Sequence, residues 1–155
     1  MEAQILYSGN TEIVEFPRIS KAKYTRDFSW GFYVTDNYEE AYRQAHRLRR
    51  VGFINKYRYQ EDEKLRILRF EGPTEEWLNF IGGCRNGYIH DYDIVIGPMV
   101  DSAVWDYVNE YFAGRMAPEN FWKHMEAESL SYQASFHTLQ ALDCLRYEGS
   151  EAVHG

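Results

Sequence analysis

The chain has 155 residues, of which 45% are hydrophobic and 17% aromatic, and its formal net charge is -7. This length fits one domain over residues 1–155 with a core of its own, and the apolar content argues against disorder. The acidic balance argues against a broad basic surface for nucleic acid, and it favours a protein or a small molecule as partner.

The first third of the chain is predicted to hold two strands and one helix. Ala3–Ser8 has the pattern of a strand that ends at Gly9-Asn10, and the segment after it has no steady period and should be loop. Phe32–Thr35 alternates apolar with polar side chains, which predicts a short strand. Asp36 or Asn37 then caps a helix that stops before glycine 52. The packing stripe of this helix comprises Tyr38, Ala41, Tyr42, Ala45 and Leu48.

Two strands, a helix and a buried strand are predicted in the middle of the chain. Phe53–Tyr59 and Leu65–Phe70 are the two strands, and an acidic turn joins them. Pro73-Thr74 opens a helix, and Gly82-Gly83 is its stop signal. Tyr92–Pro98 has the clearest pattern of a buried strand in the chain.

The last third adds two helices, a strand and a tail. Asp101 can cap one helix, and Pro118 starts the next. Ser131–His137 alternates in the manner of a strand, and Thr138 is the N-cap residue of a short helix behind it. Glu148–Gly155 is predicted to be a loose tail. Strands interrupted by helices of unequal length predict a mixed α+β domain.

The segment Ser131–His137 has one polar face and one apolar face. A surface strand of a solvated antiparallel sheet gives the same pattern, and from the pattern alone that ordinary exposed face is favoured over a row of site groups. The polar face comprises Ser131, Gln133, Ser135 and His137.

Other sequence features predict a cytoplasmic protein without a metal. The opening MEAQILYSG has neither a basic region nor a long apolar stretch, so we expect no secretory signal and no membrane span. Cys84 and Cys144 lack paired spacing and are expected to be reduced and structural. The five histidines lack the spacing that brings metal ligands together, so we expect no metal site.

Three segments resemble signature motifs of the ADP-ribosyltransferase superfamily, in its diphtheria-toxin-like and poly-ADP-ribose polymerase branch. They are LYSGN at 6–10, GFYVTDNYEEAYRQA at 31–45 and SYQASFHT at 131–138. With FEGPTEEWLNFI and YDIVIGPMVDS, they make the chain resemble DUF3990, a family of small bacterial proteins with an ADP-ribosyltransferase-like fold. The resemblance implies a mixed-sheet domain of that fold with several flanking helices, and NAD as substrate.

The resemblance implies roles for individual residues. Tyr33 would flank the nicotinamide ring, and Gln133, at the usual glutamate position, would orient the nicotinamide ribose. Ser8–Gly9 would hold the adenosine side and the nicotinamide amide. Ser135 could touch the same ribose or the acceptor, and His137 could act as a base for an acceptor hydroxyl. A core position remains the alternative for Tyr33, and a structural role is favoured for His137. The candidate catalytic residues are Gln133, Tyr33 and Ser135, and the candidate NAD-binding residues are Tyr7, Ser8, Gly9, Asn10, Tyr33 and His137.

Two departures from the branch bear on activity. Ser8 stands where the branch has histidine, and it can still donate a hydrogen bond although it is never cationic. Gln133 brings no negative charge to a developing oxocarbenium ion, which can cost on the order of a few kcal/mol in the barrier. Fast glycohydrolase or polymer-forming activity is therefore not expected. The carboxylates nearest in sequence that could compensate are Asp93, Asp101, Glu126 and Glu128.

Three functions are open at this point. The first is an NAD-dependent mono-ADP-ribosyltransferase, an intracellular bacterial toxin or effector that modifies a macromolecular acceptor, with protein favoured over nucleic acid. A toxin of this kind could need a neutralising antitoxin partner. The second is a catalytically silent module that binds NAD or ADP-ribose, and the third is an unrelated α+β protein that binds another protein through its tyrosine-rich surface.

Overall fold

Seven strands form one mixed β-sheet, with helices packed on both of its faces. The structure is a computed structural model that describes residues 4–20, 27–47, 51–100, 102–128 and 130–154. The strands in the described residues are β1 Gln4–Asn10, β2 Phe32–Thr35, β3 Gly52–Tyr59, β4 Ile67–Arg69, β5 Ile94–Pro98, β6 Tyr132–Phe136 and β7 Leu145–Val153. The helices are α1 Tyr38–His46, α2 Glu75–Arg85, α3 Ser102–Phe112, α4 Pro118–Ala127 and α5 Leu139–Leu142.

The order of the strands across the sheet is β4-β5-β6-β2-β1-β3-β7. β4 and β5 are parallel, and every other neighbouring pair is antiparallel. β6 lies between β2 and β5, so that Gln133 is opposite Thr35 on one side and Gly97 on the other. This topology brings the second and third motif segments side by side. The predicted α+β fold with a mixed sheet is confirmed.

The register of the strands assigns each side chain to one face of the sheet, because successive residues point to opposite faces. Val95, Ser135 and Tyr33 are opposite one another across β5, β6 and β2 and share a face. Three helices, α2, α3 and α4, cover that face through a buried cluster that includes Trp77, Val104 and Phe121. The other face is covered by α5, in a cluster that includes Leu6, Ile94, Phe136 and Ala141.

α1 packs very closely on β1. A Cβ atom added to Gly9 would lie 2.4 Å from the carbonyl oxygen of Ala41 and 2.8 Å from the backbone nitrogen of Ala45. Only glycine fits there, because ordinary contacts of a Cβ atom are longer than 3 Å. The first strand was predicted to stop at Ser8, with Gly9-Asn10 as its stop signal, and that prediction is wrong: both glycine and asparagine pair with β3, opposite Ile54 and Phe53.

The helices begin at the residues that the sequence predicts. The side chains of Asn37, Thr74 and Thr138 each accept a hydrogen bond from a first-turn backbone N–H, at 3.2 to 3.3 Å. Pro118 opens α4, where its missing N–H costs nothing. The predictions for Ala3, Leu48 and Asp101 lie outside the described residues.

Gly82-Gly83 do not stop α2, contrary to the prediction, because the helix continues to Arg85. A Cβ atom on Gly82 would lie 2.7 Å from Cζ of Phe112. The glycine therefore serves the contact between α2 and α3. The C-cap residue after the helix is Asn86, whose side chain donates a hydrogen bond to the carbonyl of Gly82 at 2.9 Å.

Two further predictions on the strands need correction. The expected strand Leu65–Phe70 is shorter, since β4 spans only Ile67–Arg69, and it pairs in parallel with β5. Residues 148–153 of the predicted loose tail Glu148–Gly155 belong to β7, which pairs with β3, and residue 155 lies outside the described residues. Residues 148–152 are small or charged and mostly exposed, which resembles a tail in sequence, whereas the pairing of their backbone with β3 holds them in the sheet.

The structure also bears on the cysteines, on metal binding and on membrane spans. Cys84 and Cys144 are buried free thiols, and burial raises the pKa of Cys84 to about 12. The described residues contain no group of three or more histidines, cysteines, aspartates or glutamates that could hold a metal ion. Among those same residues no helix is long and apolar enough to span a membrane.

Candidate functional site

A pocket opens where β1 and β2 separate. The two strands share the register pair Tyr7–Thr35, and an extension of that register would set Gly9 opposite Tyr33. The pocket lies at this point, with α1 at its side and β6 behind it. Its cavity volume is about 50 Å³, well below that of a typical small-molecule site. Its lining comprises Ser8, Gly9, Asn10, Tyr33, Val34, Gln44, Met99 and Gln133.

Tyr33 forms one wall and is fixed by the loop before its strand. Its hydroxyl donates to the carbonyl of Ser29 at 2.6 Å and accepts from the backbone N–H of Phe28 at 2.9 Å. Its ring stacks on that of Phe28, with 6.4 Å between centroids and 20° between planes. The hydroxyl therefore serves the loop, and the half-buried ring is the part of Tyr33 that a ligand can meet.

Gln133 lies at the base of the pocket and is only 2% exposed. Its Nε2 donates to Oδ2 of Asp27 at 3.0 Å. A carboxylate only accepts, so this contact fixes the orientation of the amide with its NH₂ group toward Asp27. The amide oxygen forms no hydrogen bond with the side chains that the structure describes.

Asp27 links three elements around Gln133. Its Oδ1 accepts from Nε of Arg85 at 2.9 Å in an ion pair, and its Oδ2 also accepts from the backbone N–H of Val100 at 3.3 Å. The guanidinium of Arg85 lies over the ring of Trp105, 3.6 Å from its centroid. The buried carboxylate is thus compensated by a cation that itself rests on an aromatic face.

Ser8 and Gly9 contribute to the pocket mainly through the backbone. Ser8 precedes Gly9 and points to the other face of the sheet, where its hydroxyl accepts from Nδ2 of Asn10 at 2.6 Å and bonds to the hydroxyl of Tyr57. Gly9 has no side chain and lies against α1. The first motif therefore offers mainly backbone groups to a ligand, since the side chain of Asn10 points to the same face as that of Ser8.

Ser135 and His137 form a hydrogen-bonded pair beside the pocket. Nδ1 of His137 lies 2.7 Å from the carbonyl oxygen of Trp30, so Nδ1 carries the proton and Nε2 accepts from the Ser135 hydroxyl at 2.7 Å. Burial lowers the pKa of His137 to about 4. Ser135 is fully buried. Both ring nitrogens of the neutral histidine are engaged within the protein.

The loop 27–31 is held by three side chains at consecutive carbonyls. His90 donates from Nε2 to the carbonyl of Phe28 at 2.8 Å, Tyr33 donates to that of Ser29, and His137 donates to that of Trp30. The rings of the two histidines meet edge to face with centroids 4.3 Å apart. This loop carries Asp27, so its fixed backbone determines where the carboxylate lies.

The candidate residues from the sequence fall into two groups. The described lining of the pocket brings together Ser8, Gly9, Asn10, Tyr33 and Gln133. It does not include Ser135 and His137, and it does not include Tyr7, which lies edge to face against Tyr38 and lines a separate groove.

A family model described as "Protein of unknown function (DUF3990)" matches residues 4–147. The chain belongs to the DUF3990 family. The match covers β1 to β6 and therefore every wall of the pocket. Neither the search of curated proteins nor the search of solved structures found a match.

Three of the four carboxylates that the sequence offered as substitutes for a glutamate are described by the structure, and none of these three lines the pocket of this DUF3990 protein. Asp93 accepts from the Thr138 hydroxyl at 2.6 Å and from a backbone N–H, which makes it structural. Glu126 is exposed and Glu128 half-buried on α4 and just beyond it. Asp101 lies outside the described residues.

Sequence reasoning missed Asp27, Gln44 and Met99. Asp27 follows a loop without periodicity, and nothing local marks it as a partner of a residue 106 positions later. Gln44 is a polar residue in a helix, a common feature of solvated faces. Met99 follows the buried strand β5, and that position is the one signal from which its place at the pocket could have been inferred.

Proposed function

We propose that this DUF3990 protein is an NAD-dependent mono-ADP-ribosyltransferase that modifies a macromolecular acceptor. In this proposal it acts in the bacterial cytoplasm as a toxin or effector, with a protein acceptor favoured by the net charge of -7. An antitoxin protein that covers the pocket is part of the proposal. The donor site is the pocket between β1 and β2.

The observation that carries the proposal is the convergence of three distant segments on one pocket. Gly9 and Asn10 come from the first motif, Tyr33 from the second and Gln133 from the third. These residues are separated by up to 124 positions, and the strand order β6-β2-β1 brings them together. The cavity of about 50 Å³ is far smaller than a dinucleotide, so we assign to it only the nicotinamide end of NAD and place the rest of the molecule outside it.

The lining residues suit the proposed reaction. The bond between nicotinamide and C1′ of the ribose breaks, and nicotinamide leaves with the bonding electrons as a neutral molecule. The acceptor then bonds to C1′ and loses a proton. The aromatic ring of Tyr33 offers a face to the cationic nicotinamide ring, and the amide oxygen of Gln133 can accept from a ribose hydroxyl.

A silent NAD-binding or ADP-ribose-binding module is the second candidate, and the contacts of Asp27 favour it. The carboxylate nearest to Gln133 is paired with Arg85, so the developing positive charge on the ribose would meet a neutralised group. In that case the pocket binds the nucleotide and nicotinamide is not released. A protein-interaction domain with no nucleotide site is the third.

The test is nicotinamide release and label transfer from NAD that is labelled in its adenylate part, with cell extract as the source of acceptor. We expect label on macromolecules with the native protein and a loss of more than about tenfold in Tyr33→Ala and Gln133→Ala, since each removes a contact to the reacting end. Sensitivity of the label to protease or to nuclease names the acceptor class.

The matched control is Tyr88→Ala, which removes an equally large but 54% exposed ring. It should retain native activity. Binding of NAD without release of nicotinamide would favour the silent module, and no binding at all would contradict both nucleotide functions. Co-purification of a neutralising protein, lost when NAD is added in excess, would support the antitoxin.

A further inference from the structure

We infer that Asp27 is a positioning residue of this site, which turns the amide of Gln133 so that its oxygen is presented to the pocket. The inference rests on the proposed function in taking a ribose hydroxyl as the group that this oxygen meets. The coupling between Asp27 and Gln133 that it requires depends on the geometry alone. The resemblance points to the residue at 133 but says nothing about Asp27.

The first step concerns the orientation of the amide. Gln133 is 2% exposed and lines the pocket, while its Nε2 is bound to the carboxylate at 3.0 Å. Oxygen and nitrogen of a planar amide point in different directions, so an inward NH₂ group leaves the oxygen outward. The oxygen then accepts, as a glutamate carboxylate would, although without a full charge.

The second step concerns the charge on Asp27. Its Oδ1 is bound to Arg85 and its Oδ2 to Gln133, so the two oxygens have separate partners. The side chain of Asp27 is 8% exposed, and it forms an ion pair with Arg85. Asp27 therefore does not touch the ligand, and it acts through Gln133. An N–H that donates to a carboxylate also strengthens the acceptor oxygen of the same amide.

The third step predicts what a glutamate would do at position 133. Gln133→Glu restores the residue that the resembling branch usually has. In this protein the new carboxylate would face that of Asp27 at about the present 3.0 Å. Two carboxylates at this distance repel each other unless one takes up a proton. The substitution should therefore impair the site rather than improve it.

An exchange of acid and amide between the two positions tests the inference. In Asp27→Asn/Gln133→Glu the asparagine oxygen still accepts from Arg85 and its NH₂ group donates to the glutamate. The net charge of the pair is unchanged, and the bond most affected is the long one from the Val100 N–H at 3.3 Å. We compare the native protein, both single variants and this double variant.

The main readout is kcat for nicotinamide release at pH 8. We expect each single variant to lose about tenfold or more, and the double variant to return to within about threefold of the native value or to exceed it. Gln133→Glu alone should regain activity as the pH is lowered, because one proton then bridges the two carboxylates. A structural role of Asp27 would not restore kcat in the double variant. If the two losses of kcat multiply, so that the double variant has the lowest kcat of the four proteins, the inference is overturned.

The same four proteins separate this inference from the proposed function. If the native protein neither binds nor cleaves NAD, the proposed function fails, and the melting temperatures still report on the pair. A double variant that melts above both single variants shows that Asp27 and Gln133 are coupled as the geometry requires. Additive losses of melting temperature would overturn the inference, whatever the reaction is.

Discussion

His90 and His137 are held as neutral imidazoles by the groups around them. Each ring has one nitrogen that donates to a carbonyl of the loop 27–31 and one that accepts, from the N–H of Tyr92 for His90 and from Ser135 for His137. A second proton on either ring would sit on the accepting nitrogen and clash with the hydrogen of the N–H or hydroxyl group that donates to it. Burial lowers the pKa of both residues, so the loop beneath the proposed site depends on their neutral state.

We predict that stability falls as the pH drops from about 6.5 to 4. Below pH 6.5 the unfolded chain takes up a proton at His137 that the folded chain refuses until its pKa of about 4. The loss from this residue is at most about 3 kcal/mol, at 1.36 kcal/mol per unit of pKa shift, and it levels off below pH 4.

The measurement is the free energy of unfolding in urea at several pH values, for the native protein and His137→Gln. The variant should show a shallower dependence of the unfolding free energy on pH between pH 6.5 and 4, because it lacks the contribution of His137. Some slope should remain, because carboxylates and His90 titrate in both proteins. Equal slopes would mean that His137 is protonated in the folded protein and that its hydrogen bonds are not as described.

The polar face of β6 shows how far sequence reasoning reaches at the level of residues. Alternation predicted which side chains share a face, and the register confirms it for Gln133 and Ser135. The same pattern favoured an exposed face, whereas both residues are buried. The hydrogen-bond partners of these two side chains are Asp27 and His137. Asp27 lies in a loop without periodicity. Burial of a polar row depends on such tertiary partners, and a local pattern does not contain them.

At the level of elements, the contact between α1 and β1 determines the shape of the pocket. Gly9 lets the helix approach, and the helix in turn places Gln44 at the pocket. Ala41, Ala45 and Ile54 are buried in the same contact. The sequence predicted the helix from spacing, but of its predicted stripe Tyr38 and Tyr42 are exposed, and Glu40 is buried instead. It also offered Gly9 as a turn residue. Close approach of two backbones is invisible until both elements are placed.

We predict that Gly9→Ala destabilises the protein by roughly 2 kcal/mol or more, since the new methyl group would overlap backbone atoms of α1 that cannot move independently. Gly72→Ala is the matched control, because a Cβ atom there has nothing within 4 Å. It should be neutral or stabilising by a few tenths of a kcal/mol.

Thermal and urea unfolding of the two variants beside the native protein measure this difference. If Gly9→Ala is as stable as Gly72→Ala, α1 does not lie on β1 at the distance described. If it is destabilised, nicotinamide release by the folded fraction reports whether displacement of α1 also opens the pocket.

For the whole molecule, the strand order is what the sequence could not supply. Most strands and helices were predicted within a few residues, because periodicity and capping are local. The order β6-β2-β1 depends on pairings between strands that are far apart in the chain. Without it, three motifs are three separate patterns, and the resemblance to a family was the only reason to place them together.

The C-terminal strand gives the last prediction, because β7 is an edge strand that the sequence presented as a tail. Deletion of residues 148–155 removes the pairing of β3 from Lys56 to Gly52 and the buried side chain of Val153. We expect a loss of about 3 kcal/mol or more, from several backbone hydrogen bonds and one buried valine. Deletion of residues 154–155 alone is the control and should leave the melting temperature unchanged, because β7 ends at Val153. The exposed edge of β3 should also make the shorter protein associate, which size-exclusion chromatography measures. A monomeric, fully stable product of the longer deletion would show that β7 adds nothing to the sheet and that residues 148–155 are a tail after all.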